Sequence, residues 1–205
     1  MTRCAFYFVV VTLGILSMGF QLLASRLLNP HFGSSIIVWA WLISTFLAAF
    51  SVGSMLGGWI SNLPPAPRRT AQMVGAIVAI CTLALVALAG RTLLGRIELA
   101  LPDLSTALFA ACATLFFLPV TALSSFGPQC VQYLAVRGMP AGHASGLVYG
   151  VSTLGNIAGV MLTAFALIPH FRVSHLLYLW LGVALVSLAA LLRLLRGTTT
   201  TSSSS

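Results

Sequence analysis

The residues best suited to binding a small molecule are uncharged polar side chains inside long apolar segments. Gln21 lies in the first such segment, and Tyr149, Ser152 and Asn156 share one face of the fifth at helical spacing. Their amide and hydroxyl groups could form a small polar pocket between the first, second and fifth helices. A hydrogen bond between two helices, contributing about 1 kcal/mol, is the simpler interpretation of the same residues.

Histidine is the other residue type that could coordinate a ligand. His31, His170 and His175 fall at the ends of segments on one face of the predicted membrane domain, where they could bind a metal or the axial position of a haem. No carboxylate or cysteine accompanies them, which favours ordinary interfacial histidines. We therefore predict neither a metal nor a cofactor. His143, at the start of the fifth segment, is interpreted as a helix-end residue.

The chain lacks the residues that catalysis would need. Its only acids are Glu98 and Asp103, in one loop, and its four cysteines form no C-x-x-C motif. General acid–base chemistry requires a titratable group at the reacting atoms, and cation transport normally requires a carboxylate within the membrane. We therefore predict no catalytic residue and no enzymatic activity. A neutral or anionic substrate is not excluded.

The composition of the chain indicates the kind of protein that holds these residues in place. The chain is 59% hydrophobic and 6% charged, with a mean hydropathy of +1.05. Such a composition excludes an ordinary soluble domain and indicates an integral protein of the lipid bilayer. The net charge of +8 comes from scattered arginines, which act as topology signals and headgroup contacts. A nucleic-acid partner is not expected, because no basic patch with interleaved aromatics occurs.

Apolar length predicts an all-α, polytopic membrane protein with six transmembrane helices. The domain covers 1–196, with spans at about 5–25, 36–61, 70–90, 105–134, 142–168 and 175–195. The connection 91–103 is amphipathic and is predicted to form a separate interfacial helix. Residues 197–205 form a low-complexity Thr/Ser tail, predicted to be disordered.

The arginines favour an orientation with both termini in the cytoplasm, by six arginines to four. The inner set is Arg3, Arg68, Arg69, Arg137, Arg193 and Arg196, and the outer set is Arg26, Arg91, Arg96 and Arg172.

Small residues repeat every four positions in the second and fifth segments, which predicts close helix packing. The fifth segment is expected to turn its small and polar face inward and its Leu-rich face toward lipid. Segments two and five are therefore the predicted central pair. The glycines assigned to packing are Gly53, Gly57, Gly58, Gly142, Gly146, Gly150, Gly155 and Gly159.

Two stretches resemble a known family. The first is GFQLLASRLLNPHFGSSIIVWAWLISTFLAAFSVGSMLGGWI, and the second is GHASGLVYGVSTLGNIAGVMLTAFALIPHF. Together they cover about a third of the chain and are similar, in order and spacing, to the membrane part of bacterial spermidine-synthase-like proteins. The resemblance implies half of a major-facilitator fold and a bacterial inner-membrane location. Arg26 matches the family's S-R-L-L motif. Its position just after the first helix predicts either a contact with an outer-leaflet headgroup or a loop carbonyl, or a plain interfacial anchor.

Departures from the family limit what the resemblance implies. Gln21 replaces a glutamate, and Trp59-Ile60-Ser61-Asn62 replaces a charged hairpin. No aminopropyltransferase domain follows, so the synthase activity is not expected. We therefore expect a non-catalytic membrane subunit or scaffold that packs with another membrane protein or a larger complex. The alternative is a half-size transporter that works as a homodimer on a neutral or anionic small molecule.

Overall fold

The computed structural model describes residues 2–196, with side chains for residues 4–195. Within that range the chain is all helical, with no strand, and six helices are long and apolar enough to cross a membrane, which confirms this part of the predicted fold. The helices are α1 Thr2–Phe32, α2 Ile36–Ser61, α3 Pro65–Ala100, α4 Leu104–Ala135, α5 Ala141–His170 and α6 Val173–Arg196. The Thr/Ser tail lies outside the described residues.

Helix α3 is much longer than its predicted span of 70–90. It runs without a break for 36 residues from Pro65 to Ala100, so the separate interfacial helix predicted over 91–103 is wrong. Nothing in this stretch stops the helix before Pro102, and Asp103 then caps the start of α4. At 1.5 Å per residue α3 is about 54 Å long, well beyond the roughly 30 Å of a hydrocarbon core.

Two helices contain a wider, π-helical turn. It covers Ala113–Phe117 in α4 and Leu162–Leu167 in α5. Each turn lies just before a proline, Pro119 or Pro169. A proline ring clashes with the carbonyl four residues earlier, and a widened turn relieves that clash without ending the helix.

The centre of the bundle is aromatic. Phe20 of α1, Phe46 of α2 and Phe116 of α4 are fully buried, with ring centroids 5.9 to 6.4 Å apart. The indole of Trp180 on α6 lies where a Cβ on Gly19 would stand, which brings α6 close to α1. These contacts hold α1 in the middle of the fold.

The main helix pairs follow a repeat. Helix α1 packs on α5 and α6, α4 packs on α2 and α3, and α3 packs on α6. Exchanging α1 with α4, α2 with α5 and α3 with α6 turns the α1–α5 pair into α4–α2 and the α1–α6 pair into α4–α3, and leaves the α3–α6 pair unchanged. Because short loops make consecutive helices antiparallel, α1 and α4 run in opposite directions, and the repeat is inverted.

Glycines form the same contact in both halves of this repeat. A Cβ on Gly155 or Gly159 of α5 would overlap the backbone carbonyls of Val11 and Ile15 on α1. Only a glycine allows two helix backbones to approach this closely.

The second copy of the contact joins α2 to α4. A Cβ on Gly53 would overlap the Thr121 carbonyl and the Ser124 hydroxyl, and one on Gly57 would overlap the Ser125 carbonyl. In both copies, glycines four residues apart meet carbonyls four residues apart. We call these two contacts the glycine interlocks.

The other glycines assigned to packing do not make such contacts. A Cβ on Gly58, Gly142, Gly146 or Gly150 would meet no atom from another helix within 4 Å among the described residues. The predicted packing role is therefore wrong for these four within the chain. In α5 the buried side instead carries Ala144, Val148, Gly155, Gly159 and Thr163.

Candidate functional site

A polar cavity of about 250 Å³ lies between α1, α2, α4 and α5. Helix α5 contributes the most polar groups, and α1, α2 and α4 contribute three serines, a glycine and a cysteine. The lining residues are Val10, Leu13, Ser17, Phe50, Ser54, Leu123, Ser124, Gly127, Cys130, Val148, Tyr149, Ser152, Thr153 and Asn156. We refer to this space as the polar cavity.

Three of the four residues predicted for a pocket lie together in the polar cavity. Tyr149, Ser152 and Asn156 line it from one face of α5, as their spacing indicates. Gln21 is not among the lining residues. It is half-buried on α1, one helical turn beyond Ser17, which does line the cavity.

Among the residues that line the polar cavity, Asn156 has a buried polar atom without a hydrogen-bond partner. Its side-chain oxygen is buried and has no hydrogen-bond partner within the described residues. A buried acceptor without a partner costs about 1–3 kcal/mol, so a donor brought into the cavity would be favoured there. The neighbouring Thr153 hydroxyl is already committed, since it donates to the Tyr149 carbonyl at 2.7 Å.

The α4 wall of the cavity is held by hydroxyl–backbone bonds. The Ser124 hydroxyl is within hydrogen-bond distance of the Ala49 carbonyl on α2, at 3.3 Å, and of the Thr121 carbonyl on its own helix, at 3.1 Å. The bond to Ala49 links α2 and α4 beside the interlock at Gly53. The wall is therefore a fixed part of the packing between these two helices.

No charged side chain lines the polar cavity. Glu98 lies against His31, whose Nδ1 is 2.8 Å from the carboxylate and within hydrogen-bond distance of it. Asp103 caps α4 by accepting hydrogen bonds from the Thr106 hydroxyl and from its backbone N–H. These bonds, the hydroxyl first, hold the pKa of Asp103 below its ordinary value. The cavity can thus bind by hydrogen bonds and apolar contact, while its lining offers no carboxylate or imidazole for proton transfer.

The histidines do not come together as a metal site. His31 is paired with Glu98, and the His170 Nδ1 lies 2.8 Å from the Ala166 carbonyl of its own helix. Within the described part of the chain, no three histidine, cysteine or acidic side chains are placed to hold a metal ion. His175 therefore has no partners for a triad among these residues.

The serines of the other helices were not identified from the sequence. Ser17, Ser54 and Ser124 line the cavity opposite the α5 residues. Serine is common on packed faces of membrane helices, and its spacing alone does not show which face opens onto a cavity. The sequence did contain one relevant signal. Ser54 lies on the same small-residue face of α2 as Gly57, which packs against α4.

Comparisons with known proteins do not assign the chain to a family. No protein-family model matches the chain, and no curated protein or solved structure matches it either.

Proposed function

We propose that the chain is a non-catalytic integral membrane subunit that packs with a partner protein through the exposed side of α5. The observation that carries this proposal is how little of α5 is covered. Only 17% of its most apolar stretch is buried, against 28% to 61% for the other five helices. Its exposed side nevertheless has the composition of a helix contact.

That exposed side carries what we call the glycine stripe, Gly142, Gly146 and Gly150. Among the described residues, no atom from another part of the chain lies within 4 Å of a Cβ placed on any of these glycines. Lipid chains gain little from a surface of small residues, whereas a second helix can approach its backbone closely and gain dispersion contacts and Cα–H···O contacts. Tyr149, 47% exposed beside the stripe, adds a large contact group with a hydrogen-bonding hydroxyl.

The test is to purify the chain gently from its native membrane and to quantify by mass spectrometry what accompanies it. We expect a partner in fixed stoichiometry, and we expect Gly146→Leu to reduce its recovery at least tenfold. Ala158→Leu is the matched control, because it adds a similar volume at an exposed α5 position off the stripe. Equal recovery with both variants, or a wild-type chain that purifies alone, would contradict the proposal.

A second function is favoured by a different observation. The polar cavity and the inverted repeat of helix pairs are features shared by secondary transporters. In this alternative, a second copy of the chain covers the glycine stripe, and the homodimer carries a neutral or anionic small molecule. A stable dimer containing no other protein would favour the transporter over the subunit.

For location we propose the bacterial inner membrane, with both termini in the cytoplasm. The resemblance to spermidine-synthase-like membrane proteins and the distribution of arginines support this placement. Cysteine labelling of loop residues in intact cells and in inverted vesicles tests the orientation.

A further inference from the structure

A second cavity lies at the end of the bundle where α1 ends and α2 begins. Its volume is about 320 Å³, and α1, the loop after it, α2 and the far end of α5 form its walls. Arg26, Asn29 and Ser34 supply polar groups, and Trp39 and Ile168 supply apolar surface. We call it the Arg26 cavity. It is separate from the polar cavity, with which it shares no lining residue.

Arg26 supplies a positive charge that no acid of the protein neutralises. The chain has two acids. Glu98 is paired with His31 and Asp103 caps α4, and neither carboxylate forms a salt bridge with Arg26 within the described residues. A guanidinium presents several N–H donors in a flat fork, which matches the oxygens of a phosphate.

The groups around Arg26 extend this donor set. Asn29 and Ser34 are exposed on the cavity wall and bring a carboxamide and a hydroxyl. Helix α2 begins at Ile36, two residues after Ser34, so the positive end of its dipole lies at the same place. Ser25, by contrast, uses its hydroxyl on the Leu22 carbonyl of its own helix, at 2.8 Å. The cavity thus combines one full positive charge with neutral donors and no negative group.

The remaining wall is apolar and aromatic. Trp39 is 38% exposed, and tryptophans of this kind sit at the level of lipid headgroups. Ile168, near the end of α5, also lines the cavity. A ligand with a phosphate near Arg26 and a greasy portion against Trp39 and Ile168 would satisfy both parts of the cavity.

We propose that the Arg26 cavity binds the phosphate group of an anionic ligand, supplied either by a phospholipid headgroup or by free phosphate. The Arg26 guanidinium carries the charge recognition, and the Asn29 and Ser34 side chains add hydrogen bonds. Binding would link the end of α1, the start of α2 and the end of α5, which together line the cavity.

The test uses the purified full chain after removal of bound lipid. In one arm, native mass spectrometry follows binding of phosphatidylglycerol and, separately, of phosphatidylcholine. In the other, equilibrium dialysis follows binding of inorganic phosphate. We expect one phosphatidylglycerol to bind at least fivefold more tightly than phosphatidylcholine, and Arg26→Gln to raise its Kd about tenfold. If inorganic phosphate binds instead and Arg26→Gln removes that binding, the free anion is the source of the phosphate.

Two further variants make the result specific. Arg96→Gln removes the same charge from an exposed position at the same end of the bundle, outside the cavity, and should change the Kd less than twofold. Ser34→Phe fills the cavity without changing charge and should weaken binding as Arg26→Gln does, which covers the case in which Arg26→Gln does not fold. Equal losses in Arg26→Gln and Arg96→Gln, unchanged binding in Ser34→Phe, or no binding in either arm would overturn the proposal.

Discussion

The indole nitrogen of Trp180 on α6 donates a hydrogen bond to the backbone carbonyl of Leu16 on α1, 3.1 Å away. Trp180 is 4% exposed, and its ring fills the space over Gly19. Because interhelical hydrogen bonds in membrane proteins contribute about 0.6 kcal/mol on average, the ring's packing is worth more here than its polar bond.

We therefore expect Trp180→Phe to lower the thermal stability of the detergent-solubilised chain modestly and Trp180→Ala to lower it strongly. The first change loses the hydrogen bond and part of the ring, about 1–2 kcal/mol, and the second leaves a cavity worth about 3–5 kcal/mol. Thermal unfolding followed by circular dichroism measures both. Trp59→Ala, at a side chain 63% exposed, is the control and should change the unfolding midpoint little.

The glycine interlocks predict a sharp contrast between two glycines of α5. Gly155→Ala should cost about 2 kcal/mol of stability, because its Cβ would meet the Val11 carbonyl and force the helices apart. Gly150→Ala should be neutral or slightly stabilising, since its Cβ would enter open space and alanine is the better helix former. The unfolding midpoints of the two variants, measured in the same detergent, test this contrast. Equal effects would rule out the close approach of α5 to α1.

Asn156 gives the clearest test of the polar cavity. Its side-chain oxygen has no partner within the described residues, so Asn156→Ala should leave the protein folded and no less stable. If the chain is a transporter, the same variant should reduce uptake into proteoliposomes at least tenfold. Gln21→Ala is the control, because Gln21 does not line the cavity. Uptake that survives Asn156→Ala and is lost in Gln21→Ala would assign the transport path elsewhere.

The lowered pKa of Asp103 predicts that the stability of the folded chain depends on pH. Its pKa is lowered by hydrogen bonds from the Thr106 hydroxyl and backbone, so the folded state holds the charged carboxylate more strongly than the unfolded state does. The stabilisation is therefore present above the ordinary pKa of about 3.9 and is lost as the pH falls through the lower, folded value. Asp103→Ala should unfold at a lower temperature than wild type at pH 7, and the difference should shrink below pH 4. A difference that stays constant as the pH falls from 7 through and below the ordinary pKa would argue against the charged cap.

The six helices could be predicted from the sequence because a spanning helix needs only length and apolar composition, which local residues supply. The side of each helix that faces a neighbouring helix could not be predicted in this way. Gly142, Gly146 and Gly150 repeat every four residues, and so do Gly155 and Gly159. The five-residue step from Gly150 to Gly155 turns the helix by about 140°, so the two sets cannot face the same neighbour. Spacing reveals each set but not which of them meets α1.

The polar cavity was partly predictable for a similar reason. Tyr149, Ser152 and Asn156 share a helix face, which the sequence alone reveals. Ser54 and Ser124 join them only because α2 and α4 pack against each other through Gly53 and Gly57. That pairing connects residues about 70 positions apart, and no local pattern encodes it.

The glycine interlocks also govern the order in which the protein can assemble during synthesis. Each interlock joins a helix of the first three to a helix of the last three, α1 to α5 and α2 to α4. The first three helices therefore emerge from the ribosome and enter the bilayer with their closest packing partners still unmade. Helix α1 must wait until α5 has been translated, so the first three helices remain open to wrong partners and to quality-control proteases until α4 and α5 have entered the bilayer.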